Sequence, residues 1–311
     1  RANGLDGYLP FKGKVEHGRF TIVRNEAHAN VYTQLLFAYA ALYRLVPDDA
    51  VRDHVRRHVG MIIDHFRKHD FNLHDNHGNE VEYSDLSPRR FTLQHNRQLA
   101  LLVMVDVGLA CLHRDDRRHA ALLRLRHRLL HKYDYAEAVQ KQRAEVFGLH
   151  FPTHSSSWLN MLNFYTGMTL TNDACYRRGF DRLYAHYAAE QNPLYDLMRL
   201  LTHQVDLSRA SALVRRVRHY LETFPLVLTR AEVISSLRSG VETARSPYIK
   251  LKRVDVAGEP LPVYMRPLTS YEWKRNQRRV DGNFHGTEAV RYTGIDFLQA
   301  WWMLRYYQTR Q

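Results

Sequence analysis

The chain has 311 residues, 45% of them hydrophobic and 25% charged, which allows a large core and excludes disordered, collagen-like and disulfide-stapled classes. No stretch approaches the roughly 20 uninterrupted apolar residues that a bilayer span needs; the longest apolar run, Leu99 to Leu112, carries Asp106 and is flanked by Arg97, His113 and Arg114, as in a core helix. Lys and Arg total 45 against 32 Asp and Glu, a formal charge of +13 that favours polyanionic partners such as nucleic acid, an anionic membrane surface or an acidic polysaccharide, although scattered arginines also suit an ordinary solvated surface.

The pattern along the chain is mostly helical. From Ala29 to Leu45, Val31, Leu35, Tyr39 and Leu42 recur at three and four residues, and Pro47-Asp48-Asp49 ends the run. The next helix places Val51, Val55, Val59, Ile62 and Phe66 on one face and Arg52, Arg56, Arg57 and Arg67 on the other. Between Phe71 and Tyr83 the period breaks, and the turn residues Asp75-Asn76-His77-Gly78 predict a small hairpin. After Pro88 the plan recurs, with an apolar helix from Thr92 to His113 and an arginine-rich one from Asp115 to Tyr133. Further pairs follow at Ser155–Leu170 with Asp173–Glu190, and at Leu194–His203 with Ser208–Phe224.

Three apolar helices begin near Ala29, Thr92 and Ser155, at intervals of 63 residues. Hairpins that alternate an apolar with a basic amphipathic helix stack to bury each other's apolar stripes. The expected fold is therefore all-α, an α/α toroid with small β-hairpin excursions, in one domain over residues 1–311. A second hairpin is predicted where Ile249–Val256 alternates, Gly258-Glu259-Pro260 turns and Leu261–Met265 pairs back. A last helix from Glu288 to Tyr307 carries Ile295, Leu298, Trp302 and Tyr306 at helical spacing. Cys111 and Cys175 lie in apolar helical patterns without metal-ligand spacing, so both are expected as buried thiols. The chain starts at Arg1 without an initiator Met or an apolar leader; the expectation is a processed chain, with a secreted or periplasmic location favoured.

Polar residues concentrate before the apolar helices. Glu26 and His28 precede the first; Arg90, His95 and Asn96 open the second; His154, Ser155, Ser156 and Trp158 open the third; Asn192 and Asp196 open the fourth; and Glu288, Arg291 and Tyr292 open the last. Each has an ordinary alternative, since Ser155, Asn192 and Thr287 can cap helices and Glu26 and Glu288 suit helix N-termini. The run RPLTSYEWKRNQRRVDG, from Arg266 to Gly282, mixes aromatic and basic residues; Trp273 can stack on a sugar ring and Arg275 can pair an acidic group. Stacking and phosphate contact on nucleic acid would use the same side chains, but no nucleic-acid motif accompanies them. No P-loop or GxGxxG occurs. His65/His69 and His127/His131 have i, i+4 ligand spacing but fall on basic helices, where solvated faces are expected.

The run HANVYTQLLFAYAALYRLVPDDAVRDHVRRHVGMIIDHFRKHDFNLHDNHGNEVEYSDLSP resembles a group of bacterial α/α-toroid proteins, and HSSSWLNMLNFYTGMTLTND, QNPLYDLMRL and RPLTSYEWKRNQRRVDG continue the resemblance in order. Members of that group usually have an acidic, serine-containing stretch where this chain has Arg24 to Asn30, so the resemblance here loses carboxylates and gains His28. Toroids of this kind are common among polysaccharide lyases and glycoside hydrolases, and the resemblance implies carbohydrate chemistry. The residues themselves favour a lyase that cleaves a uronate-containing polymer by β-elimination. His154 and Tyr292 form the proposed proton-transfer pair, His95 is the second candidate base, and Asn96 and Arg291 neutralise the carboxylate. Glu26, His28, Arg90, Trp158, Trp273, Arg275 and Glu288 are the substrate-binding candidates. This scheme calls for no metal and no cofactor. A hydrolase would need a carboxylate pair from Glu26, Asp196, Glu288 and Asp296, and a non-catalytic glycan-binding or scaffold protein is the third reading.

Overall fold

The computed structural model describes residues 29–74, 79–81, 85–88, 95–140, 145–146, 149–150, 154–187, 192–224, 227–228, 243–245, 255–257, 290–291 and 294–311. The fold is all-α, accompanied by short two-stranded pairings. In chain order the helices are α1 (Ala29–Leu45), α2 (Asp49–Lys68), α3 (His95–Cys111), α4 (Arg117–His131), α5 (Tyr135–Gln140), α6 (His154–Leu170), α7 (Ala174–His186), α8 (Pro193–Thr202), α9 (Leu207–Glu222) and α10 (Ile295–Thr309). The strands are β1 (Glu145–Val146), β2 (Leu149–His150), β3 (Val227–Leu228), β4 (Thr243–Arg245), β5 (Asp255–Ala257) and β6 (Val290–Arg291), paired antiparallel as β1–β2, β3–β6 and β4–β5. Among the described residues no helix is long and apolar enough to cross a membrane.

Three basic helices start at an aspartate whose carboxylate accepts a backbone N–H of the first turn. Asp48 accepts from Val51, Asp116 from Arg118, and Asp206 from Arg209, satisfying donors that a helix N-terminus otherwise leaves unpaired. Asn192 caps α8 in the same way, and Pro193 follows at the first helical position, where its missing N–H costs nothing.

The chain forms two compact units, Arg1–Gln142 with Leu162–Phe180, and Arg143–Met161 with Asp181–Gln311. In the first, α3 is the central helix, packed on α1, α2, α4 and α5. That position explains its sequence: Leu99, Leu101, Leu102, Met104, Val105 and Val107 are all buried, so apolar residues occur around the whole helix. Against it α2 presents Val55, Val59, Ile62 and Phe66, the face expected from its period. In the second unit, α8 packs on α9 and α10, and Leu200, Ala210 and Leu213 form a core joined by Tyr307.

Several sequence expectations are corrected. In α1 the buried residues, among the described side chains, are Tyr32, Thr33, Leu36 and Ala40, while Val31 and Leu42 of the expected face are exposed. The helix is apolar on most sides, so periodicity did not fix its rotation; the edge of Tyr32 on Phe66, with ring centroids 5.2 Å apart, does. The last helix begins at Ile295, not Glu288, because Gly294 takes the left-handed conformation (φ 74°) and Val290–Arg291 is drawn into a pairing with β3. Its buried positions, among the described side chains, are Asp296, Ala300, Met303 and Leu304, leaving Leu298 and Trp302 exposed.

The expected hairpins are not seen among the described residues. The first is reduced to one antiparallel bridge between His74 and Glu80. In the second region, Asp255–Ala257 pairs with the upstream segment Thr243–Arg245; Leu261–Met265 lies outside the described residues. His65 is also buried and not on a solvated face, whereas His127 and His131 are exposed.

Candidate functional site

The most developed polar arrangement in the first unit surrounds Asp106, which sits in the middle of α3 and is 2% exposed. Burying a carboxylate in an apolar helix is costly unless both oxygens are satisfied. Here Arg126 of α4 donates its Nε to Oδ1 at 2.6 Å, and Tyr176 of α7 donates its hydroxyl to Oδ2 at 2.6 Å. The far side of the Arg126 guanidinium donates to Asp173. Burial pushes the Asp106 carboxyl above its ordinary value, against the pull of Arg126 and Tyr176. The Tyr176 hydroxyl is raised well above its own, by burial and by the neighbouring carboxylate, so it stays protonated and donates.

A second clamp of the same composition stands in the other unit. Asp196 of α8 is 1% exposed; Tyr184 of α7 donates to its Oδ1 at 2.7 Å and Arg216 of α9 donates Nε to its Oδ2 at 2.6 Å. In each case the aspartate and arginine are twenty residues apart. The capping aspartates fall midway, so Asp-x9-Asp-x9-Arg occurs twice, at Asp106/Asp116/Arg126 and at Asp196/Asp206/Arg216, with an offset of ninety residues. Sequence reasoning missed both clamps, and this spacing is the signal that could have found them. Arg199 adds to the second clamp, lying 4.7 Å from the Tyr184 ring centroid and donating to Asp181 at 3.3 Å, while His203 Nε2 is 3.1 Å from the same carboxylate.

Chemically, the clamps are closed. Each carboxylate has both oxygens engaged, and each tyrosine has burial holding its proton on. A carboxylate repeated in the same setting in two units is explained by bolting adjacent helices together. Asp196, a candidate for a hydrolytic carboxylate pair, is thereby tied into the scaffold. The thiols offer no nucleophile either: both are buried, and burial pushes Cys111 up to about 12.

Of the residues singled out from the sequence, Glu26, His28, Arg90, Trp273, Arg275, Glu288 and Tyr292 lie outside the described residues. His95 and Asn96 form the first turn of α3, His154 is the first residue of α6, and Arg291 is in β6 opposite Val227. Trp158 stands one helical turn after His154. It is 5% exposed, and its indole Nε1 has no hydrogen-bond partner among the described residues. A buried donor without an acceptor costs about 1–3 kcal/mol, so a ligand oxygen placed there would remove a penalty.

The other feature with chemical potential is the cationic face of the first unit. Arg117, Arg124 and Arg128 are exposed on α4, opposite its buried Leu122, Leu125 and Leu129. At 100° per residue these arginines fall on one narrow stripe. A shallow cleft of about 450 Å³ at the start of this stripe is lined by Asp64, Arg67, Lys68 and Arg117, and a second of about 560 Å³ by Leu123, Arg124, His127 and Arg128. Asp64 is already paired with Arg118 at 3.2 Å. Among the described residues there is no group of three or more His, Cys, Asp or Glu side chains arranged to hold a metal ion. Comparison of the chain with protein-family models, with curated proteins and with solved structures finds no match in any of the three.

Proposed function

We propose that this protein is a carbohydrate-active enzyme of the α/α-toroid class that cleaves an acidic, uronate-containing polysaccharide by β-elimination. The observation that carries the reading is Trp158, a buried aromatic whose N–H has no hydrogen-bond partner among the described residues, one turn from His154 at the start of α6. The indole N–H offers a sugar oxygen a donor. The charge of +13 suits a polyanionic substrate. In the reaction, His154 takes the proton α to the uronate carboxylate while Arg291 neutralises that carboxylate. The electron pair of the broken C–H bond forms the ring double bond, the glycosidic C–O bond breaks, and Tyr292 delivers a proton to the leaving oxygen. No water is consumed. The hydrolase alternative is weakened because Asp196 has both oxygens committed to Tyr184 and Arg216.

The test is to incubate the protein with polygalacturonate, alginate and chondroitin and to follow the ultraviolet absorbance of unsaturated uronate. The lyase reading expects that absorbance to rise, and to fall by roughly a hundredfold or more in rate in folded His154→Ala and Tyr292→Phe variants. Reducing ends without the absorbance would replace the reading with hydrolysis, and binding without either product would make the protein a glycan-binding module.

A further inference from the structure

Most cations in this chain that approach an acid are already paired: Arg56 to Asp53, Arg118 to Asp116 and Asp64, Arg126 to Asp106 and Asp173, Arg199 to Asp181, and Arg216 to Asp196. The α4 stripe differs. Arg117, Arg124 and Arg128 face solvent, no acidic residue occurs between Arg117 and His131, and the α2 cations Arg67 and Lys68 border the same cleft as Arg117. From Arg117 to Arg128 the stripe advances about 16 Å along the helix axis. Among the described residues these three arginines make no ion pair, although Arg117 feels the charge of Asp116, and keeping such charges in line and close together costs mutual repulsion, which a polyanion would relieve.

We infer that the α4 stripe, with Arg67 and Lys68 of α2 at one end, is a docking track for a linear acidic polysaccharide. The class of polymer rests on the reading above, but the binding claim concerns residues with no part in the proposed chemistry. Nucleic acid fits less well. The exposed positions of α4 carry Arg, His, Leu and Ala, with neither the Asn or Gln that reads base edges nor a Phe, Tyr or Trp on which bases stack. Charge spaced along one helix, beside the apolar Leu123, matches a chain of carboxylates or sulfates on sugar rings. The guanidinium groups would pair with the anions, and Leu123 would touch the apolar faces of the sugars.

The experiment measures binding separately from cleavage. Fluorescence anisotropy of a labelled polygalacturonate oligosaccharide and of a labelled heparin fragment is recorded against salt for the full chain. Three proteins are compared: the parent, the triple variant Arg117→Gln/Arg124→Gln/Arg128→Gln, and an equally neutralised control on the exposed arginines of α9, Arg209→Gln/Arg215→Gln/Arg218→Gln. The expected result is at least about a tenfold loss of affinity in the α4 variant, with the slope of log affinity against log salt reduced by about two to three. The control should lose less than about threefold, because the exposed α9 arginines do not fall on one stripe at 100° per residue and so cannot line up along a single linear polymer. Equal losses in both variants, or no binding of either probe by the parent, would overturn the track. Tighter binding of duplex DNA that the α4 variant abolishes would replace it with a nucleic-acid surface. Loss of binding in the α4 variant without any unsaturated product would keep the track and reject the lyase, whereas cleavage with unchanged binding would do the reverse.

Discussion

The two Asp–Arg–Tyr clamps place the same three side chains in different surroundings. Around Asp106 the tyrosine is sealed: Tyr176 is fully buried and Gly167 of α6 lies against its ring, while the partly exposed Arg126 reaches out to Asp173. Around Asp196 the tyrosine is less enclosed, since Tyr184 is 8% exposed, while Arg216 is partly exposed much as Arg126 is. An identical set of hydrogen bonds can therefore differ in its contribution to stability. The cost of removing a partner depends on whether water can reach the group left behind.

The largest expected effect follows from that difference. Asp106→Ala leaves the sealed Tyr176 hydroxyl and the inner edge of Arg126 without a partner, and should destabilise by about 3–5 kcal/mol. Asp196→Ala should cost less, because Arg216 and Tyr184 can turn toward solvent. Urea unfolding of both variants, compared by midpoint at unchanged slope, measures the gap. Equal costs would show that the two settings do not differ in access to water.

Gly167→Ala sharpens the same comparison without touching a charge. An added methyl would come within 2.8 Å of the Tyr176 ring, whose hydroxyl is fixed to Asp106. Overpacking of this kind costs about 1–3 kcal/mol. Combining it with Tyr176→Phe should give less than the sum of the two losses, because the second change releases the ring that the first one displaces. Additive losses would mean that Gly167 and Tyr176 are not coupled.

The smallest effect concerns the caps below the clamps. Asp116 accepts from the Arg118 backbone N–H and also holds its guanidinium at 2.6 Å, which lowers its carboxyl from 3.8 to about 2. A depressed folded value contributes stability that is present above the unfolded value and is lost as pH falls. The contribution should therefore fade between about pH 4 and pH 2. Asp116→Ala should cost about 1 kcal/mol at neutral pH and flatten the acid limb of a stability–pH curve over that window. An acid limb unchanged in the variant would remove Asp116 as its source.

Period and capping residues made the helices legible. The Asp48 and Asn192 starts, the apolar face of α2 and the all-round apolar character of α3 follow from local sequence, because a helix start and an amphipathic stripe are decided within one or two turns. The polar residues at the start of α6 were legible for the same reason, as a cluster ahead of an apolar run. Rotation of the helices that are apolar all round was not: α1 buries Tyr32 and Leu36 in place of Val31 and Leu42, and α10 buries Ala300 and Met303 in place of Leu298 and Trp302. When most faces of a helix are apolar, only its neighbours select the one that is buried.

The clamps belong to the tertiary structure for a related reason. Asp106 meets Tyr176 across seventy residues, and nothing local in either segment marks the other as its partner. The sequence by itself determined most of the helical segments, where the capped ones begin and that one aspartate interrupts an apolar run, but not the short helix α5 or the start of α10 at Ile295. Tertiary packing decided that this aspartate is a bolt between helices and that Arg117, Arg124 and Arg128 of α4, unlike Arg118 and Arg126, form no ion pair among the described residues. The physical reason is that a buried charge takes its partner from whatever three-dimensional packing brings within hydrogen-bonding reach.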